Sequence, residues 1–240
     1  TEAAGGGGIA ADYELALASS TVSSNVAEAL GDTSSLGGGF FARREADVRL
    51  STIAGNTASI AAAAHVPKIV LADSTVSGNA ATLQDGGIAT ILAEVDNSTI
   101  AFNTSPGSGS AAGLFVLSQA DLQSAILFGN TDGGAAFDVG TLSGSLFGAD
   151  NLIGASPNPL PVGTLHDDPL LSPLEDNGGP TATHALGENS PALDAGNNAA
   201  ALTTDQRGPG YLRVYNGRAD IGAVEMQPEG ADTLFANGFD

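Results

Sequence analysis

A short motif of polar and apolar residues recurs along the first two thirds of the chain. It begins with Ser-Thr, continues with Val or Ile and two further residues, and closes on Asn. Clear copies span residues 20–25, 51–56, 74–79 and 98–103, and weaker copies end at Asn130 and Asn151. Successive closing Asn residues lie 31, 23, 24, 27 and 21 positions apart. Self-similarity with a period in this range predicts a stacked repeat architecture in which each repeat is one turn.

Counting back from each closing Asn finds columns of apolar residues in the same positions of successive repeats. The columns three, eight and ten positions before the Asn contain, respectively, Val22, Ile53, Val76, Ile100 and Leu127; Leu17, Val48, Leu71, Val95 and Leu122; and Leu15, Ala46, Ile69, Ala93 and Ala120. The last two columns are two residues apart, which is the period at which side chains of a β-strand return to one face. Each turn is therefore predicted to contain at least two, and in our interpretation three, short strands.

Stacking explains how such turns bury their apolar residues. A single turn cannot cover its own apolar face, whereas neighbours about 4.8 Å apart cover it and pair their backbones. We therefore predict an all-β fold, a right-handed single-stranded parallel β-helix (solenoid) of about six rungs with a C-terminal capping segment. Residues 1–154 form the rungs, residues 155–230 the capping segment packed on the helix, and residues 231–240 a C-terminal tail.

The closing Asn column is interpreted as a structural ladder. Asn tolerates left-handed backbone geometry at a corner, and its amide can hydrogen-bond to the same amide one rung away. We favour this role over ligand binding. The predicted members of the ladder are Asn25, Asn56, Asn79, Asn103, Asn130 and Asn151.

With these repeats in view, the chain resembles right-handed parallel β-helix proteins of bacterial surfaces. From residue 167 the sequence "DDPLLSPLEDNGGPTATHALGENSPALDAGNN", followed by "TDQRGPG" and "NGRADIGAVE", is similar to the closing segment of choice-of-anchor Q domain proteins. The resemblance implies an extracellular or bacterial cell-surface location and a β-helix fold more than it implies an activity. Because no charged and apolar leader follows Thr1, we expect that a secretion signal has been removed.

Charge narrows the classes of partner and cofactor. The formal net charge is −20, from 27 acidic residues against seven Lys and Arg. This potential repels phosphate backbones and anionic headgroups, so nucleic acid is disfavoured as a partner. Membrane insertion is disfavoured because no apolar run approaches the roughly 20 residues that span a bilayer. Calcium is a candidate cofactor, since no Lys or Arg lies between Lys68 and Arg207.

Candidate catalytic groups are sparse, and no catalytic residue is assigned. Asp73, Asp96 and Asp121 fall at similar positions in their repeats, but the repeats of Asp96 and Asp121 supply no Lys, Arg or His. Carbohydrate cleavage would need acidic and basic groups gathered on one face. Asp167 and Asp168 are weak candidates for a metal site, and local turn hydrogen bonds are the favoured alternative.

Two charged pairs in the C-terminal third predict a structural clasp. The pairs are Asp205 with Arg207, and Arg218 with Asp220. Guanidinium groups in such pairs tie loops to carboxylates through charge-assisted hydrogen bonds. We therefore assign these four residues to holding the capping segment together.

Three functions are compatible with this sequence. The favoured one is a secreted or cell-surface structural or adhesin-type module without catalytic activity, whose partner is a cell-surface glycan or protein. The first alternative is a polysaccharide-binding or polysaccharide-degrading β-helix protein, which the fold permits without implying it. The second is a self-assembling extracellular filament that associates through its end rungs or through Leu234, Phe235 and Phe239 of the tail.

Overall fold

The computed structural model describes residues 4–29 and 33–227, which form 22 β-strands and no helix. The predicted tail at 231–240 and Thr1 lie outside the described residues. The first eleven strands are β1 Ala4–Gly5, β2 Ile9–Ala11, β3 Glu14–Ala18, β4 Thr21–Ser23, β5 Ser35–Leu36, β6 Phe40–Ala42, β7 Glu45–Arg49, β8 Thr52–Ala54, β9 Thr57–Ile60, β10 Ala64–Ala72 and β11 Thr75–Ser77. The remaining strands are β12 Ala80–Gln84, β13 Ile88–Asp96, β14 Thr99–Ala101, β15 Thr104–Ser105, β16 Leu114–Gln123, β17 Ile126–Phe128, β18 Thr131–Asp132, β19 Ala135–Ala136, β20 Val139–Thr141, β21 Ser145–Ala149 and β22 Leu152–Ile153.

The strands stack into three sheets, and the chain visits the sheets in turn. Sheet 1 contains β2, β3, β6, β7, β10, β13, β16, β20 and β21; sheet 2 contains β4, β8, β11, β14, β17 and β22; sheet 3 contains β1, β5, β9, β12, β15, β18 and β19. All strand pairs are parallel except β18 with β19. The predicted all-β parallel solenoid is therefore confirmed, with about five turns where about six rungs were predicted.

The strand register confirms the predicted apolar columns. Val22 pairs with Ile53, and this column continues through Val76, Ile100 and Leu127 to Ile153. The columns that begin at Leu15 and Leu17 align in the same way in sheet 1. Most of these side chains are fully buried in one continuous core. Side chains of neighbouring turns thus cover one another, which is the stabilisation expected for a stack of repeats.

The corner between sheets 2 and 3 differs in one detail from the prediction for the Asn column. The left-handed backbone conformation falls on the residue before each Asn, with φ between 57° at Ser24 and 72° at Gly129. Gly occupies this position in three of the five turns because it adopts positive φ without steric cost. The Asn residues are therefore selected for their amides rather than for their backbone geometry.

Residues 155–227 contain no strand and run along the outside of sheet 2. Among the described residues, four of the five isolated bridges lie at least partly in this segment, for example that between Leu165 and Leu152. Leu186 and Ile221 pack against Ile126 and Leu152 in a second apolar cluster. The predicted role of this segment is to cover the end of the stack. Its described contacts lie along the flank of sheet 2, where the outward side chains of β8, β11 and β14 are buried against it.

Candidate functional site

The closing Asn residues form a continuous hydrogen-bonded series through five turns. In each of Asn25, Asn56, Asn79 and Asn103, the backbone N–H and the side-chain Nδ2 both donate to Oδ1 of the Asn one turn further on. The Nδ2 to Oδ1 distances are 2.8 to 2.9 Å. From Asn56 onward, Nδ2 also donates to a carbonyl of the preceding turn. The geometry therefore satisfies the corner backbone as well as the amides.

The series ends on a carboxylate. Asn130 donates its backbone N–H and Nδ2 to Oδ1 of Asp138 at 2.8 Å, and Oδ2 of Asp138 accepts from the backbone N–H of Ala155. An ionised carboxylate is an acceptor only, so it matches three donors and offers no donor to a further turn. Asp138 lies outside the repeat motif, so no pattern in the sequence indicates this role.

Asn151 does not belong to this ladder, and its assignment as the sixth member is wrong. Its Oδ1 accepts from the backbone N–H of Ala125, and its Nδ2 donates to the carbonyl of Leu122. The position belongs to a second column, which the Ser of the motif forms on earlier turns. There the backbone N–H groups of Ser20, Ser51 and Ser74 each donate at 3.1 Å to the Ser hydroxyl of the next turn. After Asn130 the chain forms the β18–β19 hairpin, and Asp138 takes the acceptor role that an Asn has on earlier turns. The next Asn in the sequence, Asn151, therefore belongs to the Ser column.

The Thr of the motif forms a third column, and this column holds the C-terminal segment. The Thr52 hydroxyl donates to the carbonyl of Ala182 at 2.6 Å, and the Thr75 hydroxyl donates to Oε1 of Gln206 at 2.6 Å. The Thr99 hydroxyl accepts from the backbone N–H of Ala223. The equivalent Thr21 on the first turn is exposed. Sequence reasoning missed this role, although the invariance of Thr among the four clear copies was the available signal.

Gln206 and Arg213 are the buried polar residues that fix this segment, and sequence reasoning assigned neither. Nε2 of Gln206 donates to the Thr52 hydroxyl at 2.8 Å and to the Thr181 hydroxyl at 3.0 Å. Arg213, which is 1% exposed, lies 3.1 Å from both Asp73 and Glu225 and donates to the carbonyl of Gly222. The arginine thus joins one carboxylate of the solenoid to one carboxylate of its own segment.

Burial determines the ionisation of the carboxylates around Arg213. Burial raises the pKa of Asp73 to about 7, although Arg213 lowers it in opposition. Burial likewise raises the pKa of Asp220 and of Glu225, and backbone N–H donors oppose the rise. The upward pKa shifts follow from burial, which removes water from each carboxylate, and the donors of the folded chain only partly offset them.

The predicted charged clasp is rearranged. Arg207 does lie against Asp205, at 2.6 Å, and stacks on the Tyr211 ring at 3.8 Å. Arg218 pairs instead with Asp150 of the solenoid at 3.0 Å. Asp220 accepts the backbone N–H groups of Asp194 and Met226. The Arg218–Asp220 pairing is therefore wrong, because Asp220 is occupied by loop backbone while Arg218 reaches across to the last turn.

The weak metal candidates are solvent-exposed turn residues. Asp167 and Asp168 are exposed, and Oδ1 of Asp168 accepts the backbone N–H of Leu170 at 2.8 Å. Among the described residues, carboxylate oxygens come within 4.8 Å of one another in the group Asp194, Asp220 and Glu225. The oxygens of Asp220 and Glu225 already accept hydrogen bonds from the protein.

The three carboxylates weighed for catalysis do not share one column. Asp121 lies beside Glu94, and Asp96 lies beside Gln123 on the outer face of sheet 1. Asp73 is buried against Arg213 at the corner. Burial raises the pKa of Asp96, and its neighbours Asp121 and Glu94 raise it further. Asp73, Asp96 and Asp121 therefore hold similar positions in their repeats but lie in different environments.

A cavity opens on the outer face of sheet 1, beside sheet 3. It has a volume of about 310 Å³ and is lined mainly by apolar side chains. Its walls are Leu36, Ile60, His65, Val66, Pro67, Gln84, Asp85, Ala89, Thr90, Ile91, Phe115 and Leu117. Burial raises the pKa of Asp85 to about 6 and lowers the pKa of His65. Nδ1 of His65 is buried without a hydrogen-bond partner.

Comparison of the chain with protein-family models, with curated proteins and with solved structures gave no match. In the part of the chain that the structure describes, no helix has the length and apolarity needed to cross a membrane. Two features of the structure are candidates for function. One is the flank of sheet 2 that the C-terminal segment covers, here called the brace, and the other is the cavity on sheet 1.

Proposed function

We propose that this chain is a secreted or cell-surface β-helix module of the choice-of-anchor Q type, with a structural or adhesin-type role and without catalytic activity. The observation that carries the proposal is the brace along sheet 2. Gln206 of "TDQRGPG" bonds to Thr52 of the solenoid, whereas Asp205 and Arg207 of the same motif, and Asp220 and Glu225 of "NGRADIGAVE", bond within the segment and to Arg213. The motifs behind the resemblance thus contribute stiffness to a rod.

The charge distribution supports the same role. Arg207 and Arg213 are used to fix the C-terminal segment, and Asp73 and Glu225 are bonded to Arg213. A carboxylate held in this way is a poor general acid or base, because its proton cannot reach a substrate within hydrogen-bond distance. What the rod offers to partners is its outer surface.

Two assays test this proposal. The purified chain is incubated with acidic and neutral polysaccharides, with and without calcium, and new chain ends are quantified; we expect none. Turnover that a single Asp substitution abolishes would overturn the non-catalytic assignment. In producing cells, protease added outside intact cells should degrade the chain, and complete protection would contradict surface display.

A further inference from the structure

The outer face of sheet 1 carries a column of rings with one gap. Residues Ala10, Phe41, His65, Ala89, Phe115 and Gly140 align across neighbouring turns. The preceding residues of the same strands, such as Phe40 and Ile88, are buried in the core, so this column faces outward. The rings of Phe41 and His65 stack with an interplanar angle of 3° and centroids 5.8 Å apart. Ala89 places only a methyl group where its neighbours carry rings.

The gap is wide enough to admit a planar group. His65 and Phe115 lie two turns apart, which corresponds to about 9.5 Å along the stack. A flat group in van der Waals contact with both neighbours needs about 7 to 8 Å. His65, Ala89 and Phe115 all line the 310 Å³ cavity, so the space between the two rings is part of it.

The polar end of the cavity is a carboxylate. Asp85 accepts a hydrogen bond from the Ser110 hydroxyl through Oδ1, and a long one of 3.3 Å from Nε2 of Gln84 through Oδ2. A bond of this length is weak, so Oδ2 can accept from a better donor. The described lining includes no Lys or Arg, and the net charge of −20 favours a cationic ligand over an anionic one.

The same face already places an arginine of the chain itself against a ring and an aspartate. A second cavity on this face, about 250 Å³ in volume, is lined by Ala10, Asp12, Phe41 and Arg43 among others. There the guanidinium carbon of Arg43 lies 5.8 Å from the centre of the Phe41 ring, and Nε lies 3.4 Å from Asp12. At this end of the column, Arg43 thus lies near a ring and an aspartate, beside the small residue Ala10.

We propose that the space between His65 and Phe115 over Ala89, termed the arginine slot, binds the guanidinium group of an arginine side chain from a partner protein. Guanidinium is planar, stacks on aromatic faces and pairs with carboxylates, which matches the two rings and Asp85. Lysine lacks the planarity, and a neutral ring lacks the charge. The inference goes beyond the proposed function, because the slot is present wherever the rod resides.

The test is a titration of the ¹⁵N-labelled full chain with acetyl-Gly-Arg-Gly-amide at about 0.15 M salt, where long-range attraction is screened. The matched probes are the same tripeptide with Lys and with citrulline, which keeps the shape of arginine without its charge. We expect saturable shifts at the amides of Gly86, Ala89 and Phe115, with a dissociation constant at least about tenfold lower for Arg than for either probe, a difference of about 1.4 kcal/mol.

Variants locate the effect. Ala89→Leu should fill the slot and abolish the Arg-specific shifts, and Asp85→Asn should reduce the Arg affinity to that of citrulline. Ala16→Leu makes the same change at an exposed position of sheet 1 and should bind as the parent chain does. If Ala89→Leu unfolds, Phe115→Ala replaces it, because loss of one ring should weaken Arg binding. Equal binding of Arg and citrulline, shifts that persist in the folded slot variants, or no saturable binding would each overturn the proposal.

Discussion

The solenoid and the segment that follows it fix their backbones by different means. Between residues 4 and 153, strands pair with the turn before and the turn after, and the side-chain ladders repeat at every turn. Between residues 155 and 227 there is no strand, and single side chains such as Gln206 and Arg213 hold the chain against sheet 2. Stability in the first region is divided among many equivalent bonds, whereas in the second it depends on a few residues.

The largest expected effect is the loss of Arg213. Arg213→Ala leaves Asp73 and Glu225 buried without their cation, which should lower the free energy of unfolding by about 3 to 5 kcal/mol. The matched control is Arg218→Ala, which also removes a pair between the segment and the solenoid, but an exposed one worth about 1 kcal/mol or less. Urea unfolding and limited proteolysis of residues 155–227 measure both. Equal losses would mean that Arg213 does not fix the segment.

The second comparison uses two positions of the Asn ladder. Asn79→Ala removes the acceptor of the Asn56 backbone N–H and amide, and leaves these groups buried without a partner, at a cost of about 3 kcal/mol. Asn25→Ala removes the half-exposed first member, which donates to Asn56 but receives no donors from an earlier Asn of the ladder, and should cost about 1 kcal/mol. Thermal and urea unfolding distinguish the two. Equal costs would contradict a ladder that depends on burial.

A smaller effect tests the junction of the two regions. Thr75→Val keeps the shape of the side chain but removes the donor to Oε1 of the fully buried Gln206, at an expected cost of about 1 to 2 kcal/mol. Thr21→Val makes the same change on the first turn, where the segment does not reach, and should be nearly neutral. A destabilisation by Thr21→Val as large as that of Thr75→Val would show that Thr acts within the solenoid alone.

The smallest effect is a dependence on pH that Asp73 introduces. Its pKa is about 7 in the folded chain and about 4 when unfolded, so the native state binds the extra proton between these values. Its contribution to stability is therefore present at low pH and is lost as the pH rises through about 7, by at most about 1.4 kcal/mol per pH unit. Burial lowers the pKa of His65 and His184, which act in the opposite direction. The measurement is thus the difference between the parent chain and Asp73→Asn, which should grow in favour of the parent by less than about 1 kcal/mol as the pH falls from about 7.5 to about 6.5.

How far the sequence predicts the structure differs between the two regions for a physical reason. The columns that begin at Leu15, Leu17 and Val22 were readable because a stack requires the same residue type at the same position of every turn. Arg213 was not readable, since its partner Asp73 lies 140 residues away and no period connects them. The outer-face gap at Ala89 was equally hidden, because it becomes visible only when the rings on adjacent turns are aligned.

The carboxylate of Asp138 determines where the Asn series ends. Before Asp138, the backbone N–H and Nδ2 of each Asn donate to Oδ1 of the next Asn. A copy of residues 57–79 inserted after Asn79 would therefore continue the series without a mismatch. Each inserted unit would lengthen the axis by about 4.8 Å. Beyond Asp138 the series cannot continue, since an ionised carboxylate has nothing to donate. Copying whole turns before Asp138 would thus lengthen the solenoid and leave the end of the Asn series unchanged.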